Sequence, residues 1–239
     1  MPLKELAERR AILHRKSDPQ TIVKHALDDV QLGKVAMVSS FGAESVVLLH
    51  MISQTAPDTP ILFIDTEMLF PETLQYQKDV AEELGLTNVQ VVKPSREKLL
   101  EQDVDGILHT IDPDACCALR KTQPLEDALE GYDAWITGRK RYQSGSRAEL
   151  PVYEKSGRKI KINPLADWNA AKLVAYIEEH NLPKHPLVAR GFQSLGCAPC
   201  TTKTKPGEDP RAGRWRGQDK SECGIHIVDG KVVRQRNAA

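Results

Sequence analysis

Short, mainly apolar runs alternate along this chain with longer stretches of helical spacing. Four runs are typical of buried strands, at residues 35–38, 61–64, 89–92 and 134–137. Helices are predicted between them, one at the apolar positions 46–52 and one from Pro71 to Leu84, which Gly85 ends. Because strands that alternate with helices wind into a parallel sheet, the pattern predicts an α/β, Rossmann-like fold with helices on both faces.

Further elements flank this core. The spacing of Leu3, Leu6, Ile12 and Leu13 predicts one N-terminal helix, and Asp18 followed by Pro19 indicates the start of a second, running towards Val30. Another helix is predicted from Ser95. Residues 152–154 and 159–162 are typical of a hairpin, and Asp167 is predicted to cap a helix that runs to about Glu179.

Regular patterning fades after Pro183, where Gly, Pro, Lys and Arg dominate. We therefore interpret residues 1–195 as an α/β nucleotide-binding domain and residues 196–239 as an irregular tail that lies over the site. The tail carries three of the five cysteines but too few apolar residues for a core of its own.

Three polar loops follow predicted strands, at residues 39–45, 65–67 and 138–147. Parallel sheets bind ligands beyond the carboxyl ends of their strands, so these loops are expected to converge. The first resembles a phosphate-binding turn, because Gly42 and small neighbours let backbone N–H groups approach oxygens. It is not a Walker A loop, and an ordinary strand-to-helix connection stays an alternative.

Composition narrows the class of protein. The chain has 239 residues, with 33 basic residues balancing 33 acidic ones, so no overall field attracts nucleic acid or an anionic membrane. No apolar run approaches the roughly 18 residues of a membrane span. Five cysteines, two of them adjacent, favour metal-binding or catalytic thiols in a reducing compartment, and we expect the cytoplasm.

Four cysteines form two pairs, Cys116 with Cys117 and Cys197 with Cys200. Four thiolates complete a tetrahedral zinc site or hold a cubic iron–sulfur cluster. Adjacent cysteines suit a cluster better, because its separate irons let neighbouring thiolates diverge. A thioredoxin-like redox pair and four ordinary buried cysteines remain alternatives.

The fifth cysteine, Cys223, lies near Glu222, His226 and upstream cations. Cationic neighbours increase the thiolate fraction, so Cys223 is a candidate nucleophile, although an odd cysteine is often incidental. Two basic runs, at residues 139–147 and 211–216, generically suggest nucleic acid or solvated surface charge. With only 5% aromatic residues to stack on bases, a small, multiply anionic ligand fits better.

Together these segments resemble the bacterial iron–sulfur type of the phosphoadenylyl-sulfate reductase family over nearly the whole chain. The resemblance rests on residues 39–45, 63–67 and 70–73, on Cys116 to Lys121, on Gly138 to Arg147, on Cys197 to Cys200, on Gly213 to Trp215, and on Glu222 to His226. It implies an adenine-nucleotide hydrolase-like fold and a [4Fe-4S] cluster on Cys116, Cys117, Cys197 and Cys200. It also implies that Cys223 is the nucleophile.

The implied reaction is thioredoxin- or glutaredoxin-dependent reduction of adenylyl sulfate to sulfite and AMP, through an S-sulfocysteine on Cys223. Members that act on phosphoadenylyl sulfate usually lack the cluster cysteines, which points to adenylyl sulfate here, although some cluster-bearing members accept both. The implied catalytic residues are Cys223, His226, Glu222 and Lys121. The implied substrate-binding residues are Ser39, Ser40, Phe41, Gly42, Glu44, Ser45, Asp65, Gly138, Arg141, Arg147, Arg211 and Arg214.

Further expectations accompany the resemblance. The basic loop is one residue shorter than the family pattern, so Arg147 is placed less securely than Arg141. The cluster is hypothesised to act electrostatically, the chain to form a homo-oligomer, and neither nucleic acid nor membrane to be a partner. Two rival functions are an ATP-dependent tRNA thiolation enzyme, opposed by Phe41 and Glu44, and a zinc-binding nucleic-acid module, opposed by the neutral net charge.

Overall fold

In the computed structural model, which describes residues 1–218 and 220, helices surround a six-stranded sheet. The strands are β1 (Val35–Ser39), β2 (Ile61–Ile64), β3 (Val89–Val92), β4 (Ala134–Thr137), β5 (Tyr153–Ser156) and β6 (Lys159–Ile162). The helices are α1 (Leu3–Leu13), α2 (Pro19–Asp28), α3 (Ser45–Thr55), α4 (Pro71–Glu83), α5 (Arg96–Gln102), α6 (Leu108–Ile111), α7 (Pro113–Cys117), α8 (Gln123–Leu129) and α9 (Ala170–Glu179). The expected α/β class is confirmed.

The sheet has the strand order β3-β2-β1-β4-β6-β5, and β5 alone of these six runs antiparallel to its neighbour. The chain builds outward from β1 through β2 to β3 and then returns to place β4 on the other side of β1. The crevice between the carboxyl ends of β1 and β4 is therefore a topological switch point, where sheets of this type bind ligands.

Alternating side chains of the strands enter two separate cores. Met37, Phe63 and Ile136 face the larger core beneath α1 to α4 and α9. Their neighbours Ala36, Leu62 and Trp135 face the opposite side and pack against α8. Both faces of the sheet are covered, which explains why β2 and β4 are buried at every position instead of every second one.

Helix caps confirm two predicted starts and correct a third. The Asp18 carboxylate accepts the Thr21 N–H at 2.9 Å, and the Ser95 hydroxyl accepts that of Lys98. The prediction that Asp167 caps α9 was wrong. Asn169 is the cap, because its side-chain oxygen accepts the Lys172 N–H at 2.9 Å. Two residues nearer the N-terminus, Asp167 forms an ion pair with Arg141 instead.

One helical segment carries an irregular turn that the sequence pattern did not predict. Residues Ala118–Thr122 form a π-helical turn between α7 and α8. Pro124 has no N–H to donate to the carbonyl of Arg120, four residues earlier, so the regular helical hydrogen bond cannot form there. This turn follows Cys116 and Cys117 directly and carries Lys121. Within the described part of the chain, no helix combines the length and apolar character that a membrane span requires.

Candidate functional site

A cavity of about 230 Å³ opens at the switch point between β1 and β4. Its walls come from the loop after β1, the loop after β4, and two stretches of the irregular C-terminal region, residues 193–196 and 209–215. The expected convergence holds for two of the three strand-end loops. It was wrong for residues 65–67, which do not line the cavity. Asp65 accepts the Glu67 N–H at 2.9 Å, and its carboxylate lies 3.6 Å from Lys93.

The loop after β1 is held in shape by its own serines. The Ser39 hydroxyl accepts the Phe41 N–H at 3.1 Å, and the Ser45 hydroxyl accepts the Gly42 N–H at 3.0 Å. Phe41 has a positive φ of 46° and packs edge-on against Phe63 in the core. Phe41 therefore anchors the loop, whereas Ser39, Ser40, Gly42 and Ser45 line the cavity.

Glu44 lines the cavity, but its carboxylate is bound by three groups of the loop after β4. It accepts hydrogen bonds from Lys140 Nζ at 2.6 Å, from Gln143 Nε2 at 2.9 Å, and from the Tyr142 hydroxyl. Burial opposes ionisation of Glu44, but Lys140 and the two other donors outweigh it, so the pKa of this carboxyl is lowered. An ionised Glu44 thus fixes the basic loop against the loop after β1.

Lys140 is fully buried beside this carboxylate. Burial lowers its pKa, and the neighbouring guanidinium groups of Arg147 and Arg211 lower it further, while Glu44 opposes the shift. Arg147 from the same loop and Arg211 from the C-terminal region therefore both lie near Lys140. The ion pair with Glu44 keeps this crowded group of positive charges together.

Cationic side chains dominate the lining of the cavity. Those lining it are Lys121, Arg139, Lys140, Arg147, Arg211 and Arg214, against the carboxylates of Glu44 and Asp209. Gly138 lines it as well. Arg141 does not, because its Nε donates to the Leu150 carbonyl at 2.8 Å and its guanidinium pairs with Asp167. Arg147, which the sequence placed less securely, is the one that reaches the cavity.

Arg214 and Trp215 connect the cavity with the second cysteine pair. The Arg214 guanidinium donates to the Leu195 carbonyl at 2.8 Å and lies 4.4 Å from the Trp215 ring centroid. Trp215 is buried, has a positive φ of 48°, and donates its backbone N–H to the Cys200 carbonyl at 3.0 Å. One short stretch of chain thus lines the cavity and contacts the backbone of the second cysteine pair.

The four paired cysteines of the sequence lie close enough together for their thiols to interact electrostatically. The thiols are Cys116, Cys117, Cys197 and Cys200. Burial raises the pKa of Cys116 to about 12, and the Cys117 and Cys197 thiols add to the shift. Burial followed by Cys197 and Cys117 also raises the pKa of Cys200. Four thiols this close cannot all ionise unless a cationic group lies among them.

The thiols also have polar neighbours. The Thr66 hydroxyl lies 3.1 Å from Cys197 Sγ, and Lys220 Nζ donates to the Asp114 carboxylate at 2.7 Å beside Cys117. Among the described residues, no group of three or more His, Cys, Asp or Glu side chains is arranged to hold a metal ion. By residue type alone, four thiols are the ligands of an iron–sulfur cluster, so the chemistry of this donor set fits one.

The predicted nucleophile and its neighbours, Cys223, Glu222 and His226, lie outside the described residues. Sequence reasoning missed the contributions of Gln143, Gly196 and Thr66. The one available signal was Gly196, which immediately precedes the second cysteine pair. Gln143 and Thr66 lie within segments that carry the resemblance, but no local signal distinguishes them there, because the Glu44 and Cys197 side chains that contact them are about 100 or more positions away.

Comparison with known proteins finds the same reductase family that the sequence motifs resemble, over most of the chain. The family model for the phosphoadenosine phosphosulfate reductase domain matches residues 34–203. Two relatives are named adenosine 5'-phosphosulfate reductase. The protein from Chelativorans is 51% identical over 82% of this chain and 80% of its own length, and that from Mesorhizobium japonicum is 46% identical over 87% and 82%.

A solved structure shares the fold. The crystal structure of phosphoadenylyl-sulfate reductase from Candida auris, in a phosphate complex, superimposes with a TM-score of 0.71. The two proteins are 29% identical, and the alignment covers 85% of this chain and 98% of the other.

Proposed function

We propose that this chain, which belongs to the phosphoadenosine phosphosulfate reductase family, reduces adenylyl sulfate to sulfite and AMP in sulfate assimilation. The observation that carries the proposal is the placement of a cation-lined cavity at the switch point, next to the thiols of Cys116, Cys117, Cys197 and Cys200. The relatives at about 50% identity are named for this substrate. Adenylyl sulfate is small and carries negative charge on both its phosphate and its sulfate, as the cavity requires.

The cavity supplies two kinds of anion contact. The loop after β1 offers the hydroxyls of Ser39, Ser40 and Ser45, and we assign the phosphate to this loop. Arg147, Arg211, Arg214 and Lys121 line the remaining walls. Charge shifts to an anionic leaving oxygen as the sulfur–oxygen bond breaks, so fixed cations there lower the barrier chiefly by positioning and electrostatic stabilisation.

In the proposed reaction, the Cys223 thiolate attacks the sulfate sulfur, opposite the oxygen that bridges it to phosphate. That sulfur–oxygen bond breaks, its electron pair stays on the phosphate, and AMP leaves. Cys223 then carries a sulfonate as S-sulfocysteine. One thiol of a dithiol protein, thioredoxin or glutaredoxin, attacks the Cys223 sulfur and releases sulfite, which leaves a mixed disulfide with Cys223. The second thiol of the dithiol protein breaks this mixed disulfide and restores the Cys223 thiol, so the two thiols end as a disulfide and supply the two electrons of the reduction.

We assign to Glu222 and His226 the role of orienting the Cys223 thiol or tuning its reactivity. Lys121 is assigned to the region between the thiols and the cavity. Cys116, Cys117, Cys197 and Cys200 would hold the [4Fe-4S] cluster, which supplies electrostatic organisation of the site and no electrons. We place the protein in the cytoplasm as a homo-oligomer, with residues 196–239 acting as part of one structural unit with residues 1–195.

The test is the intact mass of anaerobically purified protein after incubation with adenylyl sulfate and no reductant. We expect one sulfonate on the unaltered chain and none on Cys223→Ser, with Cys200→Ser as a matched thiol control that loses iron and acid-labile sulfide. A parallel sample with phosphoadenylyl sulfate reports substrate preference. With iron and sulfide intact, the absence of an adduct from either substrate would refute the proposal, and ATP with tRNA would be tested next.

A further inference from the structure

We propose that Gln143 is a positioning residue. It links the fixed carboxylate of Glu44 to the guanidinium of Arg147, which lines the cavity, and thereby orients that guanidinium. The inference rests on the proposed function only for the identity of the anion that Arg147 meets. The amide of Gln143 bridges the two side chains: its Nε2 donates to Glu44 at 2.9 Å, and its Oε1 accepts from the Arg147 guanidinium at 2.5 Å.

The chemistry of the bridge fixes the orientation of the amide. An ionised carboxylate only accepts hydrogen bonds, and a guanidinium only donates them. A side-chain amide between them must turn its nitrogen to Glu44 and its oxygen to Arg147, because the flipped amide would form neither bond. The same Oε1 also accepts the Lys140 backbone N–H at 3.2 Å, which anchors the amide to the loop.

The guanidinium of Arg147 lies among other cations. Arg147 and Arg211 both lie close enough to the buried Lys140 to lower its pKa. Glu44 already pairs with Lys140 at 2.6 Å, and the Gln143 amide links the same carboxylate to Arg147. Because this amide is uncharged, it fixes the direction of the guanidinium without adding a further negative charge to the site.

Replacing Gln143 with leucine removes the donor and the acceptor while it keeps most of the side-chain volume. The matched control is Gln75→Leu, because Gln75 is an exposed glutamine on α4 whose amide donates to Asp79 at 2.7 Å. Initial rates with adenylyl sulfate give KM and kcat, AMP titration gives a dissociation constant, and thermal melting reports stability. KM is also measured over a range of salt concentrations.

For Gln143→Leu we expect KM to rise about tenfold, kcat to stay within about twofold, and KM to depend less on salt, because one oriented cation contact is lost. The melting temperature should match that of the Gln75→Leu control. If the leucine variant does not fold, Gln143→Asn, which is one methylene too short to bridge both groups, must raise KM in the same direction.

Two results would be adverse in different ways. An unchanged KM and salt dependence in a folded variant, while the unaltered protein turns over adenylyl sulfate, would overturn the role of Gln143 alone. An unaltered protein that neither turns over adenylyl sulfate nor binds AMP would overturn the proposed function instead.

Discussion

Gly196→Ala is expected to lower the activity of the site without removing any functional group. A β-carbon at residue 196 would lie 2.2 Å from Arg214 Nη2 and 2.3 Å from its Cζ. Ordinary van der Waals contact begins near 3.4 Å. The Arg214 guanidinium must therefore move by about 1 Å, away from the Leu195 carbonyl or off the Trp215 ring.

The size of the effect follows from what holds Arg214. Its hydrogen bond to Leu195 at 2.8 Å and its stacking on Trp215 at 4.4 Å fix the direction of its charge towards the cavity. Misplacing a charged group by about 1 Å costs up to about 100-fold in rate, or about 3 kcal/mol of transition-state stabilisation. We expect kcat/KM to fall 10- to 100-fold, while the free energy of unfolding changes by less than about 2 kcal/mol.

The assay is sulfite formation from adenylyl sulfate, with iron content and urea denaturation measured on the same preparations. Gly131→Ala is the matched control, because a β-carbon there meets nothing within 4 Å. The reasoning would be refuted if Gly196→Ala kept full kcat/KM, or if it lost activity only in proportion to lost folded protein or lost iron.

Two further predictions concern stability. Asp103→Ala should destabilise the fold by about 3–5 kcal/mol in urea denaturation, because it leaves the buried Arg120 without the carboxylate that lies 2.7 Å from it. The exposed pair of Arg9 with Glu5 gives the contrast, and Glu5→Ala should cost at most about 0.5 kcal/mol. Burial lowers the pKa of His185 from 6.5 to about 4, so the unfolded chain takes up its proton first and stability is lost as the pH falls from about 6.5 to 4. In thermal melts, His185→Gln should reduce that loss, and an unchanged pH dependence would contradict the assignment.

The sequence predicted the sheet well because its signals are local. Each central strand is a short apolar run, and Asp18 with Pro19 marks a helix start within two residues. The prediction that Asp167 caps α9 was wrong because aspartate is both a frequent helix cap and a frequent ion-pair partner. Only the position of Arg141 in the fold decides between the two roles. The π-helical turn depends on Pro124 acting on a carbonyl four residues away inside a packed helix, which periodicity does not report.

The site was less predictable because its contacts join distant positions. Residues 39–45 and the cysteine pairs were found from spacing and residue type. The sequence did not predict which of the cations line the cavity, because Arg141 and Arg147 are the same residue type. Only the fold shows that Arg147 enters the cavity and that Arg141 is tied to Leu150 and Asp167.

The basic run after β4 shows why a cluster of cations is a poor guide to ligand contacts. Three consecutive members are each paired with an acid from a different element: Arg139 with Glu154, Lys140 with Glu44, and Arg141 with Asp167. These pairs tie one loop to β5, to the loop before α3, and to the start of α9. Arg214, by contrast, is 74 positions from Lys140, donates to a carbonyl, and stacks on an aromatic ring, two contacts that leave its charge intact. The chain therefore has a neutral net charge and a cationic cavity at the same time, because Glu154 and Asp167 lie outside the cavity, whereas six cations of the described residues line it against the carboxylates of Glu44 and Asp209.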